Sequence, residues 1–141
     1  MNTKVILATL AGAVTSFLSG WVIYGMLLKN FMDANTLDSG RACMRPDEEM
    51  LLWAIFAACF FWSLLLALIF TRWAGISTFK SGAIAGAWVM LLVALGADFY
   101  TYSMMNIYTL NALFVDGAVN AIQGALVGGV VGWVIGFGNK A

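Results

Sequence analysis

Histidine is absent from this 141-residue chain, proline occurs once, cysteine twice, and charged residues make up only 10% of it. Each shortage excludes a class of chemistry. Without histidine there is no imidazole base and no histidine-ligated haem or metal. Cys43 and Cys59 are too few and too far apart for a zinc or iron–sulfur site. Cys59 falls inside an apolar run and Cys43 in a polar loop, so a disulfide between them is geometrically disfavoured. Seven basic and seven acidic residues cancel, which leaves no positive field for a nucleic acid. No phosphate loop or dinucleotide fingerprint follows a strand, and the serines have no base beside them. The expectation is a protein that is not an enzyme, with no catalytic residue, no cofactor and no metal site.

What the chain has in excess is apolar residues, 62% of the total. A soluble domain is about a quarter charged, so there is too little polar surface here to coat a water-soluble globule. The expected class is all-α, a polytopic membrane protein in which four spans of about 21 residues use about 84 positions. The runs lie at about 5–28, 50–70, 82–102 and 113–137, in one domain covering 1–141. The start, Met-Asn-Thr-Lys before an apolar stretch with Ala11-Gly12-Ala13, imitates a signal peptide. The run continues well past that point, which predicts an uncleaved helix. Pro46-Asp47-Glu48-Glu49 reads as the start of the second helix, with its acids against the positive helix end. Asn111 is the expected cap of the fourth helix and Gly138 its stop. Two short connections make neighbours antiparallel, hence an up-down-up-down bundle.

Charge orients the bundle. Lys4, Arg72, Lys80 and Lys140 share the face of both termini, which carries no acids. The other face takes Lys29, Arg41 and Arg45 together with Asp33, Asp38, Asp47, Glu48 and Glu49 in the 29–49 loop. Lysine and arginine favour the termini by four to three, which puts both termini in the cytoplasm and the 29–49 loop on the non-cytoplasmic side of a cell inner membrane. The mixed charges of that loop suit a solvated surface.

At 100° per residue the fourth helix sorts into three stripes. Val115, Val119, Ile122, Leu126, Val130, Trp133 and Phe137 form an apolar stripe suited to lipid. Gly124, Gly128, Gly132 and Gly136 form a small-residue stripe that admits another backbone closely. Asp116, Asn120 and Gln123 form a polar stripe about 135° from the glycines. One partner helix can hardly cover both, so this helix is expected to pack in two directions. The glycines serve either packing within the bundle or a seam to a second copy or partner protein. The first helix has its own small stripe of Ala8, Gly12, Ser16 and Gly20, leading to Tyr24. The bulky second helix is expected to face lipid or a neighbouring subunit.

Asp98 near the end of the third span and Asp116 near the start of the fourth fall at similar depth, beside Tyr100, Tyr102, Asn106, Tyr108 and Asn111, with Trp21 and Tyr24 reaching the same end. A charge within hydrocarbon is costly unless paired or hydrated. Asp98, Asp116, Asn120 and Gln123 are therefore a candidate proton or cation site. The plain alternative is a pair of hydrated interfacial acids bonded to nearby tyrosine and asparagine.

Gly20-Trp21-Val22-Ile23-Tyr24-Gly25 before Lys29, the acidic and aromatic end of the third span, Leu113-Phe114-Val115-Asp116-Gly117 and Gly132-Trp133 together resemble an uncharacterised family of small bacterial membrane proteins, a domain of unknown function of about this length. The likeness runs across nearly the whole chain. It implies a four-helix inner-membrane protein and supplies no activity. Members of that family carry an asparagine near the end of the third span; this chain has Asp98 and Asn106 there, so no role is carried over.

Two functions follow as expectations. The first is a non-catalytic structural or accessory subunit, in the lipid bilayer as a homo-oligomer or in a larger membrane complex, packing through its glycine-rich fourth helix. The alternative is a small transporter or channel with a polar site centred on Asp116. Against the second, only Thr15 and Ser16 offer polar groups at comparable depth in the first helix, and the two halves match poorly as inverted repeats.

Overall fold

The computed structural model describes residues 2–138; Lys140, expected on the termini's face, lies outside the described residues. Helix α1 spans Thr3–Val22 and continues as a π turn over Ile23–Leu27. Two short helices follow, α2 (Lys29–Asn35) and α3 (Asp38–Cys43). Helix α4 spans Leu52–Ile69 and also ends in a π turn, Phe70–Ala74. Helices α5 (Phe79–Met104) and α6 (Leu110–Gly136) complete the chain. Four of these, Thr3–Leu27, Leu52–Ala74, Phe79–Met104 and Leu110–Gly136, are long and apolar enough to cross a membrane. The protein is all-α, as the composition requires.

Helix ends follow local chemistry, and two differ from expectation. Thr78 Oγ1 accepts the Ser81 N–H at 3.2 Å and starts α5. Thr109, not Asn111, caps α6, its Oγ1 accepting the Ala112 N–H at 3.4 Å, while Asn111 is exposed in the first turn. The acids after Pro46 do not cap α4. Asp47–Glu49 form a separate 3₁₀ turn, and α4 begins two residues later from Leu51 without a side-chain cap. Asp47 instead pairs with Lys29 at 2.7 Å. That hydrogen bond, then the charges of Asp47 and Asp33, hold the Lys29 ammonium above its usual pKa. Gly75 (φ +61°) turns the chain out of the α4 extension, and Gly138 (φ +79°) ends α6, positions where a side chain would be strained.

Helices α5 and α6 form the tightest pair. Gly82 faces Gly128 and Gly132, Gly86 faces Gly124, and Leu95 covers Gly117, an antiparallel register. A Cβ on Gly132 would stand 2.6 Å from the Thr78 carbonyl oxygen, and one on Gly128 would stand 2.8 Å from Gly86 Cα. The backbones approach as closely as glycine allows, which is how helices associate where lipid removes the hydrophobic drive.

On its other side α6 meets α1. Gly12 sits against Val131 and against Ser63 of α4, and Gly20 against Gln123. Phe17 and Phe56 pack edge to face at 5.8 Å, so α1 is antiparallel to α4 as well as to α6. The small stripe of α1 thus lets two helices approach it. The buried core of Val5, Ala8, Leu66, Ala67, Phe70, Val127, Val131 and Ile135 fills the end near the termini. Helix α6 is central and the most buried of the four, whereas α5 packs chiefly on α6 and is the least buried.

The 29–49 loop is ordered against the α5–α6 turn. The Leu37 N–H donates to the Ile107 carbonyl at 2.9 Å and the Thr109 N–H to the Asn35 carbonyl at 3.0 Å. Thr109 Oγ1 donates to Asn35 Oδ1 at 2.7 Å, and Ser39 Oγ to the Asn106 carbonyl. Gly40 lies so close to Ile107 that a Cβ would stand 2.6 Å from its carbonyl oxygen. The loop therefore closes the end of the bundle away from the core.

Candidate functional site

Under that loop the polar stripe of α6 meets the end of α1. Tyr24, carried on the π turn, donates its hydroxyl to Asp116 Oδ1 at 2.7 Å. The Asn120 amide, one helical turn beyond Asp116, donates to Asp116 Oδ2 at 2.7 Å and to the Tyr24 oxygen at 3.2 Å. Spacing of i and i+4 makes this possible, since both side chains lie on one face of the helix. Asp116 is thus held by two donors from two elements. One turn further in, Gln123 Nε2 donates to the Ser16 carbonyl at 2.8 Å and to Ser16 Oγ at 3.3 Å.

Asp98 approaches from α5. Its carboxyl group lies within hydrogen-bonding and Coulombic reach of Asp116. Asp98 Oδ2 has essentially no exposed surface and no donor among the described residues. Both acids line a cavity of about 260 Å³. Thr101, Tyr102 and Met105 from the end of α5, Ile107 and Tyr108 from the turn, and Met32 from α2 complete its wall with Tyr24, Ala112 and Leu113. No lysine or arginine is among the lining residues. The Tyr108 phenol is pushed above its usual pKa by burial first and then by the charges of Asp116 and Asp98.

Of the residues expected to form a polar site, Asp98, Asp116 and Asn120 come together, and Gln123 lies deeper on the same stripe, bonded to α1. The packing glycines divide as the helical wheel requires. Gly124, Gly128, Gly132 and Gly136 face α5 and the segment before it, while Gly12 and Gly20 face α6. Tyr24 is more central than its place in the sequence suggested, and the signal was its position one turn beyond Gly20 on the small stripe of α1. The share of Met32 in the wall had no sequence signal, because it depends on the docked loop.

No group of three or more histidine, cysteine, aspartate or glutamate residues that could hold a metal occurs among the described residues. A second cavity, of about 380 Å³, lies at the opposite end of the bundle, bounded by Asn2, Lys4, Val5, Leu68, Thr71, Arg72 and Ile135. Comparison with protein-family models, with curated proteins and with solved structures finds no match.

Proposed function

We propose that this chain is a small transporter or channel of the bacterial inner membrane, an up-down-up-down bundle with both termini cytoplasmic, in which Asp116 is the central charge. The observation that carries the reading is the meeting of Tyr24, Asp98 and Asp116 in the wall of one cavity, with Asn120 bonded to Asp116. A carboxylate held by a phenol and an amide, with a second carboxyl beside it and no cation in the wall, attracts a proton or cation from the adjoining solution. The Gln123–Ser16 contact extends the polar stripe one turn further toward the middle of the bundle. The orientation rests on Lys4 and Arg72 at the end of the core and the acid-rich 29–49 loop at the other. The family resemblance implies the same architecture.

The test is flux in proteoliposomes under an imposed proton gradient. Proton-coupled movement is expected from the parent chain and is abolished in Asp116→Asn. Flux that persists unaltered in that variant overturns the assignment of Asp116.

A second reading, a non-catalytic structural or accessory subunit in a homo-oligomer or larger complex, is favoured by α5, which turns Ile84, Trp88 and Leu92 outward. The glycine stripe of α6 does not serve it, being occupied by α5 within the chain. Native mass spectrometry in mild detergent discriminates: a stoichiometric second protein favours the subunit.

A further inference from the structure

The cavity at the far end of the bundle has a different character. At about 380 Å³, it lies where α1 begins and where α4 and α6 end. Its floor is apolar: Val5 and Ile135 are buried members of the core, and Leu68 packs against that core. Its rim is basic. Lys4 enters from α1, and Arg72 from the π turn that extends α4. Asn2 stands beside them with its Oδ1 turned to the Lys4 N–H at 3.5 Å, which leaves its amide N–H groups to donate elsewhere. The Arg72 guanidinium makes no hydrogen bond or ion pair among the described residues.

Side-chain charge at this end is of one sign. Five of the seven acidic side chains lie in the 29–49 loop, and Asp98 and Asp116 line the other cavity. The occupant that suits two cations above an apolar floor is an anion with an apolar body. A guanidinium is a planar fork that matches the oxygens of a phosphate, and ammonium and amide N–H groups donate to the same oxygens. Free phosphate and a lipid headgroup both supply that chemistry, and depth decides between them. Trp73, next to Arg72, is 79% exposed, and Trp133 and Phe137 turn outward at the end of α6. Aromatic side chains so placed mark the headgroup layer of a bilayer. Beyond the rim, Ile6, Leu7 and Leu10 of α1 also face outward, an apolar surface along which acyl chains can lie. Basic pockets between membrane helices take anionic headgroups on the same grounds. A zwitterionic headgroup brings an ammonium as well, for which this wall has no carboxylate side chain.

We propose that this cavity seats the phosphate of an anionic phospholipid, held by Arg72 and Lys4, with the Asn2 amide completing the donors and the acyl chains passing out over α1. The site is independent of Asp116 and of the transport reading, and needs only that the four spans cross a membrane. Lys80, at the start of α5, belongs to the same end of the bundle but not to the wall of the cavity. It therefore separates a built site from a diffuse positive surface. A diffuse surface loses attraction for anionic lipid with either cation removed, whereas a built site loses it with Arg72 and not with Lys80.

The test is native mass spectrometry of the purified full chain in mild detergent, titrated with dioleoylphosphatidylglycerol or with dioleoylphosphatidylcholine. The first lipid bound is expected to be phosphatidylglycerol by preference. Each basic residue near a membrane surface contributes about fivefold, so Lys4 and Arg72 together give up to about 25-fold. Arg72→Gln is expected to lower the preference by about fivefold with far-UV circular dichroism retained, since Arg72 is exposed. Lys80→Gln, also at an exposed position, is expected to leave the preference unchanged. A parent chain that binds the two lipids alike overturns the proposal without recourse to a variant. Equal losses in Arg72→Gln and Lys80→Gln overturn it as well, because surface charge then accounts for the whole preference. Calorimetric binding of inorganic phosphate, with no preference between the lipids, overturns the lipid as occupant. A loss confined to Arg72→Gln supports the site whatever flux measurements on Asp116→Asn return.

Discussion

Replacing Gly128 by alanine puts one methyl group between the closely approaching backbones of α5 and α6. The new Cβ would stand 2.8 Å from Gly86 Cα and nearer still to the Gly82 carbonyl oxygen. Ordinary van der Waals separation begins at 3.4 Å, so the distance to Gly86 alone falls short by about 0.6 Å. Both obstacles are backbone, and no rotamer relieves them. The α5–α6 pair must separate locally by at least that amount, and a gap of about 0.5–1 Å forfeits a quarter to a half of each dispersion interaction along the seam. Overpacking of this kind costs about 1–3 kcal/mol, and the upper half of that range is expected where neither wall can yield. A loss of about 2–3 kcal/mol is about 30- to 150-fold in the folding equilibrium. Gly96→Ala is the control, because nothing lies within 4 Å of its Cβ position and alanine gains up to about 1 kcal/mol of helix propensity there. The assay is reversible unfolding in mixed dodecylmaltoside–SDS micelles, followed by tryptophan fluorescence. Equal stability of the two variants would refute the close packing of α5 on α6. An unchanged unfolding curve with an altered oligomeric state in Gly128→Ala would move the glycine seam from within the chain to between chains.

Two further predictions test orientation and the cavity wall. Cys43 is exposed and Cys59 buried, so a membrane-impermeant maleimide added outside spheroplasts should label Cys43 at once and Cys59 only after denaturation; labelling of Cys43 confined to inverted vesicles would reverse the assignment of the two faces. Tyr108 is held protonated by burial and by the neighbouring carboxylates, so an absorbance titration near 295 nm should lose a step above the ordinary tyrosine range of about 10 in Tyr108→Phe. Loss of a step at the ordinary value would place that ring in water.

The spans, the two packing faces of α6 and the meeting of Asp98 with Asp116 were legible because each follows from periodicity or depth. A 100° step separates Gly124, Gly128 and Gly132 from Asp116, Asn120 and Gln123 whatever the neighbours are, and α6 duly meets α5 with one set and α1 with the other. Asp98 and Asp116 met because a short turn forces similar depth. What escaped the sequence depends on tertiary partners. Asn35, Leu37 and Ser39 look like solvated loop, and only their bonds to Asn106, Ile107 and Thr109 order them. The acids after Pro46 carry a helix-start signature, yet Asp47 is drawn to Lys29, and the first residues of α4 lie far enough on that no acid caps them. Asn111 lost the capping position to Thr109 because the Thr109 hydroxyl also bonds Asn35 across the turn, a gain that local propensity does not contain.

These tertiary bonds bear on function through the placing of Tyr24. Its hydroxyl reaches Asp116 from the π turn that ends α1. The residue after that turn, Leu28, sends its N–H back to Ile23 at 2.8 Å, a bond five residues long that widens the helix where Tyr24 sits. Such turns are uncommon and concentrate where a side chain must be re-aimed. The same turn leads directly into α2, whose Met32 lines the cavity and whose Asn35 bonds to the cap of α6. One short stretch, from Ile23 to Asn35, therefore places the phenol on the carboxylate, supplies a wall of the cavity and ties the loop over its end. Tyrosine and asparagine donors on Asp116 suit an interfacial acid as well as a cation site, so the proposed cation site rests on what else that stretch brings to the carboxylate: a shaped cavity, with Asp98 in the same wall.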